Sequence, residues 1–151
     1  MAQSLGQVYL HIVFSTKNRF PYLADPEMRR AMYAYLLGIC DRAGCPPLRV
    51  GGVEDHVHVA CKLARTMRIS DLLMVLKRDS SNWIKTKDAS LESFYWQNGY
   101  GVFSVSPQFL GALVEYIDGQ EEHHKTVSFQ DEMRSLFKKY DVDYDDRYVW
   151  N

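Results

Sequence analysis

Leu48-Arg49-Val50-Gly51-Gly52-Val53-Glu54-Asp55-His56-Val57-His58-Val59-Ala60-Cys61-Lys62-Leu63 is the stretch that decides the fold. Two extended runs, 48–53 and 56–63, flank a tight connection at Glu54-Asp55, the signature of paired strands. Upstream, Val8-Tyr9-Leu10-His11-Ile12-Val13-Phe14 is β-branched and aromatic and predicts a first strand. Between them Asp25 caps a helix with Pro26 at its first position, carrying Met28, Met32, Tyr35, Leu36 and Ile39 as far as Gly44. Downstream, Ser70 is the expected cap of a second helix with Leu72, Leu73, Leu76, Trp83 and Ile84 on its apolar stripe. Gly99-Tyr100-Gly101-Val102-Phe103-Ser104-Val105 predicts a fourth strand, and Ser106-Pro107 opens a third helix through Leu110, Leu113, Val114 and Ile117. A last helix is expected at about 128–139, before a polar tail. The order β-α-β-β-α-β is the α+β, ferredoxin-like (RRM-like) pattern, a four-stranded antiparallel sheet with two helices on one face. A helix bearing Tyr116 and an extra C-terminal helix follow it.

The 151 residues suit one domain, 1–151, with a core at about 6–122 and an acidic extension at about 123–151. The start Met1-Ala2-Gln3-Ser4-Leu5 has no signal-peptide character, and no run approaches the roughly 20 apolar residues of a membrane span. Cys40, Cys45 and Cys61 are not spaced as a metal knuckle and read as small thiols in a reducing compartment, so a cytoplasmic protein is expected. The net charge of −1 hides an uneven distribution. Lys62, Arg65, Arg68, Lys77, Arg78, Lys85 and Lys87 face only Asp71 and Asp79 in the middle of the chain, while acids gather in the last third. One face can therefore attract phosphate, although solvated helix charges would give the same counts.

The chemistry starts at His56-Val57-His58. Alternation along a strand sends Val57, Val59 and Cys61 one way and His56, His58 and Ala60 the other. Two neighbouring imidazoles either bind a cation or are satisfied by hydrogen bonds, and Glu54-Asp55 lie close enough to orient them. On the third helix Tyr116 and Gln120 are four apart and share a face, with His123 or His124 a step beyond. A glutamine carbonyl suits a hard cation such as Mg²⁺ or Mn²⁺, and two His with one Gln leave positions open for phosphate oxygens. A metal beside a phenol is equipment for cutting a phosphodiester; a tyrosine half-packed among Leu113, Val114 and Ile117 is the plainer alternative. Gly119 weakens the helix here by about 1 kcal/mol relative to alanine.

His56-Val57-His58 resembles the His-hydrophobic-His signature of HUH endonucleases. Tyr116-Ile117-Asp118-Gly119-Gln120, preceded by Tyr100-Gly101-Val102-Phe103-Ser104-Val105-Ser106, is similar to the nucleophile helix of their single-tyrosine transposases, which move insertion sequences as single-stranded DNA. His11-Ile12-Val13-Phe14-Ser15-Thr16-Lys17-Asn18-Arg19 fits the same family. Asp145-Asp146-Arg147-Tyr148-Val149-Trp150 looks most like its repeat-associated branch.

The resemblance implies a metal-dependent single-stranded DNA endonuclease and strand transferase acting on hairpin ends. His56, His58 and Gln120 would hold the divalent ion, supplemented by His123 or His124, and Tyr116 would form a covalent 5′-phosphotyrosine and release a 3′-OH. It also implies a homodimer that can exchange its tyrosine helices through Ser104-Val105-Ser106-Pro107, and no nucleotide cofactor. Single-stranded DNA calls for cations interleaved with aromatics. Lys17, Arg19, Phe20 and Tyr22 meet that description, with Lys62, Arg65, Arg68, Lys77 and Arg78 as further candidates. The rival functions are a domesticated nickase of repeat hairpins and a non-catalytic single-stranded nucleic-acid binding module with structural histidines.

Overall fold

Alternation governs the central strand. In β1 (Val8–Ser15), Leu10, Ile12 and Phe14 point to one side and His11, Val13 and Ser15 to the other, and all six are buried. A strand buried on both sides must sit inside its sheet, and β1 does. The computed structural model, which describes residues 2–151, orders the strands β2-β3-β1-β4, with β2 (Pro47–Gly52), β3 (His56–Leu63) and β4 (Gly101–Val105), every neighbouring pair antiparallel. This is the ferredoxin-like arrangement. The fourth strand begins at Gly101, two residues later than its composition suggests.

Two helices cover one face. Asp25 caps α1 (Pro26–Arg42) by accepting from the Glu27 amide at 3.0 Å, and the helix stops where Gly44 takes φ +73°, letting Cys45 N–H bond back to Cys40 O at 2.9 Å. The second helix, α2 (Ile69–Lys85), starts at Arg68 rather than Ser70. Arg68 O accepts from Leu72 N–H at 3.1 Å, which places Ser70 inside the first turn, and Ile69 packs against the core. Met32, Leu36, Leu72, Leu76 and Ile84 meet Ile12, Phe14, Val57 and Val59 in the main core. Cys40, Cys45 and Cys61 lie buried there as free thiols. Trp83 is half-buried, stacked on Tyr35 with ring centroids 4.6 Å apart.

The opposite face carries the remaining helices. After a 3-10 turn at Pro107–Phe109, α3 (Leu110–Asp118) lays Leu113 and Ile117 against Ala60. The helix is interrupted at Gly119 and resumes as a single turn, α4 (Gln120–His123). Ser128 caps α5 (Phe129–Lys139) by accepting from Asp131 N–H, and Phe129, Met133, Leu136 and Phe137 pack on Val13 and Phe103. Much of the acidic extension is therefore a second small core on the sheet. Among the described residues, no helix is long and apolar enough to cross a membrane.

Candidate active site

Register brings the polar groups of this second face together. Ser15 pairs with His56, Val13 with His58 and His11 with Ala60, so His11, His56 and His58 share one surface of the sheet. Both β3 histidines are fully buried. Asp55 Oδ1 lies 2.7 Å from His56 Nδ1, which leaves Nε2 to face the helices. His58 Nδ1 lies 2.8 Å from His11 Nε2. A proton on His58 Nδ1, donated to His11, leaves the His58 Nε2 lone pair free for a ligand.

The centre of the cluster is Glu132 of α5. Its Oε1 lies 3.2 Å from His56 Nε2, 3.1 Å from His58 Nε2 and 3.0 Å from His124 Nε2. Its Oε2 accepts from Gln120 Nε2 at 2.8 Å and from the Tyr116 hydroxyl. Gln120 Oε1 lies 3.1 Å from His56 Nε2. His123 Nε2 stands 3.4 Å from Glu132 Oε2, unaligned for a hydrogen bond, and so is buried without a partner. Four of the five histidines of the chain thus meet at one carboxylate, and the fifth, His11, reaches it through His58.

This crowding sets the proton affinities. Burial disfavours a charged His56, but the carboxylates of Asp55 and Glu132 outweigh it and lift its pKa to about 9. Burial, reinforced by the neighbouring His58, drops His11 to about 3, fitting it as a neutral acceptor. His58 is likewise pushed down by burial. Glu132 pays desolvation, yet the hydrogen bonds from His124, His56 and His58 hold it far below the usual carboxylate range. Burial first and the Glu132 charge second push the Tyr116 phenol well above its ordinary value.

The donor set fits a divalent cation. One carboxylate oxygen faces three imidazole nitrogens, more partners than its lone pairs serve well, so the atoms converge on a common centre. Ligand atoms of His56, His58, His124 and Glu132 lie within 4.8 Å of one another, and Gln120 Oε1 adjoins them. Imidazoles with a carboxylate suit a first-row dication, and buried ligands held by Asp55 and His11 are pre-oriented for one.

The sequence-predicted His56, His58, Tyr116, Gln120 and His124 are all gathered here, with His123 at the margin. They meet within one chain. Glu132 carries no motif, and His11, though it opens a stretch that resembles the family, has no role the sequence assigns; their places in the cluster emerge only from the fold. The predicted DNA-binding residues do not form one patch. Lys17, Arg19, Phe20 and Tyr22 lie at the His56 end, where Thr16 N–H bonds Asp55 O at 2.8 Å; Phe20 is exposed, and Arg19 bonds Trp150 O at 3.1 Å. Lys62 sits six residues along β3 from His56, about 20 Å away, with Arg65 and Arg68 beyond it. Lys77 donates to the carbonyls of Gln97, Asn98 and Gly99 at 2.8, 3.2 and 2.6 Å, and Arg78 pairs with Asp79 at 2.9 Å.

Residues 4–120 match the sequence profile of the IS200-like transposases. The chain belongs to this family. No protein of curated function matches it. The fold is shared with the crystal structure of a candidate transposase from Deinococcus radiodurans R1, 22% identical, with a TM-score of 0.62 over 80% of this chain and 95% of that one. It is shared too with a REP-associated tyrosine transposase bound to a REP hairpin, 14% identical, with a TM-score of 0.58 over 84% of this chain and 76% of that one. The family match ends at Gln120, so the transposase profile covers Tyr116 and the β3 histidines but not His124 or Glu132.

Proposed function

We propose that this transposase cuts and rejoins single-stranded DNA at hairpin ends through a covalent bond to Tyr116. The observation that carries the reading is the Tyr116 hydroxyl bonded to the carboxylate on which His56, His58, His124 and Gln120 converge. His56, His58 and Gln120 would hold a divalent ion, Mg²⁺ or Mn²⁺, with His124 and Glu132 beside them as further donors. Bound there, such an ion supplies Lewis-acid polarisation of a phosphate oxygen.

The residues do the rest. The Tyr116 oxygen forms a bond to phosphorus while the phosphorus–O3′ bond breaks, giving a 5′-phosphotyrosine and a 3′-oxygen that takes up a proton. The hydrogen bond to Glu132 Oε2 orients the Tyr116 hydroxyl, and the phenol proton leaves to water as the bond to phosphorus forms. Asp55 and His11 hold the two β3 imidazoles in place throughout. Reversal by a 3′-OH rejoins strands without nucleotide hydrolysis, because the tyrosyl ester keeps the bond energy. The protein works in the cytoplasm, with cellular DNA.

The test is incubation with a labelled single-stranded hairpin pool and Mn²⁺ or Mg²⁺, beside Tyr116→Phe. A denaturant-resistant protein–DNA adduct is expected, absent from the variant and without metal. Tight binding with no adduct would instead make the protein a nucleic-acid binding module with structural histidines.

A further inference from the structure

Tyr116 faces two ways. On one side lies the histidine cluster; on the other is an open cleft of about 620 Å³ between α3 and the end of α5, floored by His11 and β4. We infer that this cleft seats one unpaired base of the DNA strand, the base flanking the phosphate that Tyr116 attacks, an inference that rests on the reading of Tyr116 as the nucleophile.

The volume is in the range of small-ligand pockets and has room for a nucleotide. The walls are chemically suited to a base. Val105, Leu113 and Leu136 supply apolar surface, and Phe109 stands at the lining 59% exposed, with no aromatic partner among the described residues. An unpartnered aromatic ring beside an apolar slot is a stacking platform that accepts any base. The polar groups are few and converge. Ser106 lines the cleft, and its hydroxyl makes no hydrogen bond among the described residues, leaving it free for a base edge. Lys139 is exposed, makes no ion pair among the described residues, and lies with Tyr140 on the same lining. It supplies a cation for the adjoining phosphate.

Position selects the occupant. A phosphorus within bonding reach of the Tyr116 oxygen has a nucleoside on either side, and this cleft is the hollow that the Tyr116 ring itself lines. The basic-aromatic loop at Lys17–Arg19 does not contribute to its lining. The cleft and that loop therefore serve different parts of the strand.

The test is photo-crosslinking of the metal-free full chain to a random single-stranded DNA pool containing 5-iododeoxyuridine, with adducts mapped by mass spectrometry. Crosslinks at Phe109 or Tyr140 are expected, and Ala112→Trp, which fills the cleft from exposed α3, should lower their yield about tenfold, the scale of losing one stacked base. Thermal melts establish that the variant is folded. Crosslinks confined to Phe20, Tyr22 or other surfaces, or a yield at Phe109 and Tyr140 indifferent to Ala112→Trp in the folded variant, would overturn the inference while leaving Tyr116 chemistry intact. A protein that crosslinks to the cleft but never forms a Tyr116 adduct with metal would fail the reading of the nucleophile instead. One that binds no DNA would overturn both.

Discussion

Gly51→Ala tests whether Tyr116, the nucleophile proposed above, is positioned by how closely α3 lies on the sheet. Gly51 pairs with His58 and lies under Ile117, the residue next to Tyr116. A Cβ added there would stand 2.7 Å from Ile117 Cγ2 and 3.0 Å from the Ile117 carbonyl oxygen. Carbon contacts settle at about 3.5–4.0 Å, so alanine needs roughly 1 Å of relief. The Ile117 methyl can rotate away, but the backbone carbonyl cannot, and α3 must lift. Overpacking of this kind costs about 1–3 kcal/mol. At about 2–4 °C per kcal/mol for a chain of this size, the melting temperature should fall by roughly 2–12 °C. The same lift moves the Tyr116 oxygen, and misplacement by about 1 Å can cost on the order of 100-fold in rate. Thermal melts and single-turnover adduct formation should be measured on the same preparation, with Mn²⁺ affinity alongside. Adduct formation is expected to fall about 10- to 100-fold, and affinity much less, because His56 and His58 stay on β3. Wild-type melting together with wild-type adduct formation would refute the idea that this glycine sets the tyrosine's position.

Other perturbations separate the contributions of single residues. His56 is raised in the folded chain to about 9, so the stability it contributes is complete below its unfolded value of 6.5 and lost as pH rises through 9, worth up to about 3 kcal/mol. His11, lowered to about 3, acts in the opposite sense, its contribution present above 6.5 and lost as pH falls toward 3. Metal-free protein should accordingly be most stable near pH 6.5, and urea melts across pH check this; a curve still rising at pH 9 would contradict it. Glu132→Ala should destabilise by about 3 kcal/mol at pH 6.5, since it strands buried imidazoles around a lost carboxylate, and a change below about 1 kcal/mol in the same melts would deny Glu132 its central place. Lys77→Met should cost about 2 kcal/mol by releasing three carbonyls, yet leave DNA affinity nearly unchanged in a polarisation titration. A large loss of affinity in the folded variant would return Lys77 to the DNA surface.

Much of this arrangement is legible in the chain. Period-two alternation in β1 and β3 reveals which residues share a face, so the pairing of His56 with His58 follows from backbone geometry alone. The four-residue step from Tyr116 to Gln120 survives the break at Gly119, because Gly119 N–H still bonds Glu115 O at 3.0 Å and His123 N–H bonds Gly119 O at 3.0 Å. Glu132 is different. It meets His58 across 74 positions, and no local period encodes such a contact. Its trace is indirect: a carboxylate on the stripe of Phe129, Met133 and Leu136, where an apolar residue would be expected. His11 left a similar trace, an imidazole between Tyr9 and Val13 on an inner strand. Ser70 has the chemistry of a cap, yet α2 starts earlier, at Arg68, with Ile69 packed on the core.

The two faces of the sheet divide labour in a way that bears on how such a protein can change. Nearly all the large fully buried side chains, from Phe14 and Met32 to Leu76 and Ile84, lie on the α1–α2 side, while the histidines, Tyr116, Gln120 and Glu132 occupy the other. All four strands serve both: Val50 and Val102 face the α1–α2 side, Gly51 and Phe103 the other. The larger core is thus held apart from the polar cluster, and a change confined to the helices from α3 onward leaves that core intact. For a designer, the α1–α2 half is a chassis, and new side chains can be written into the other half against the fixed pair of β3 imidazoles.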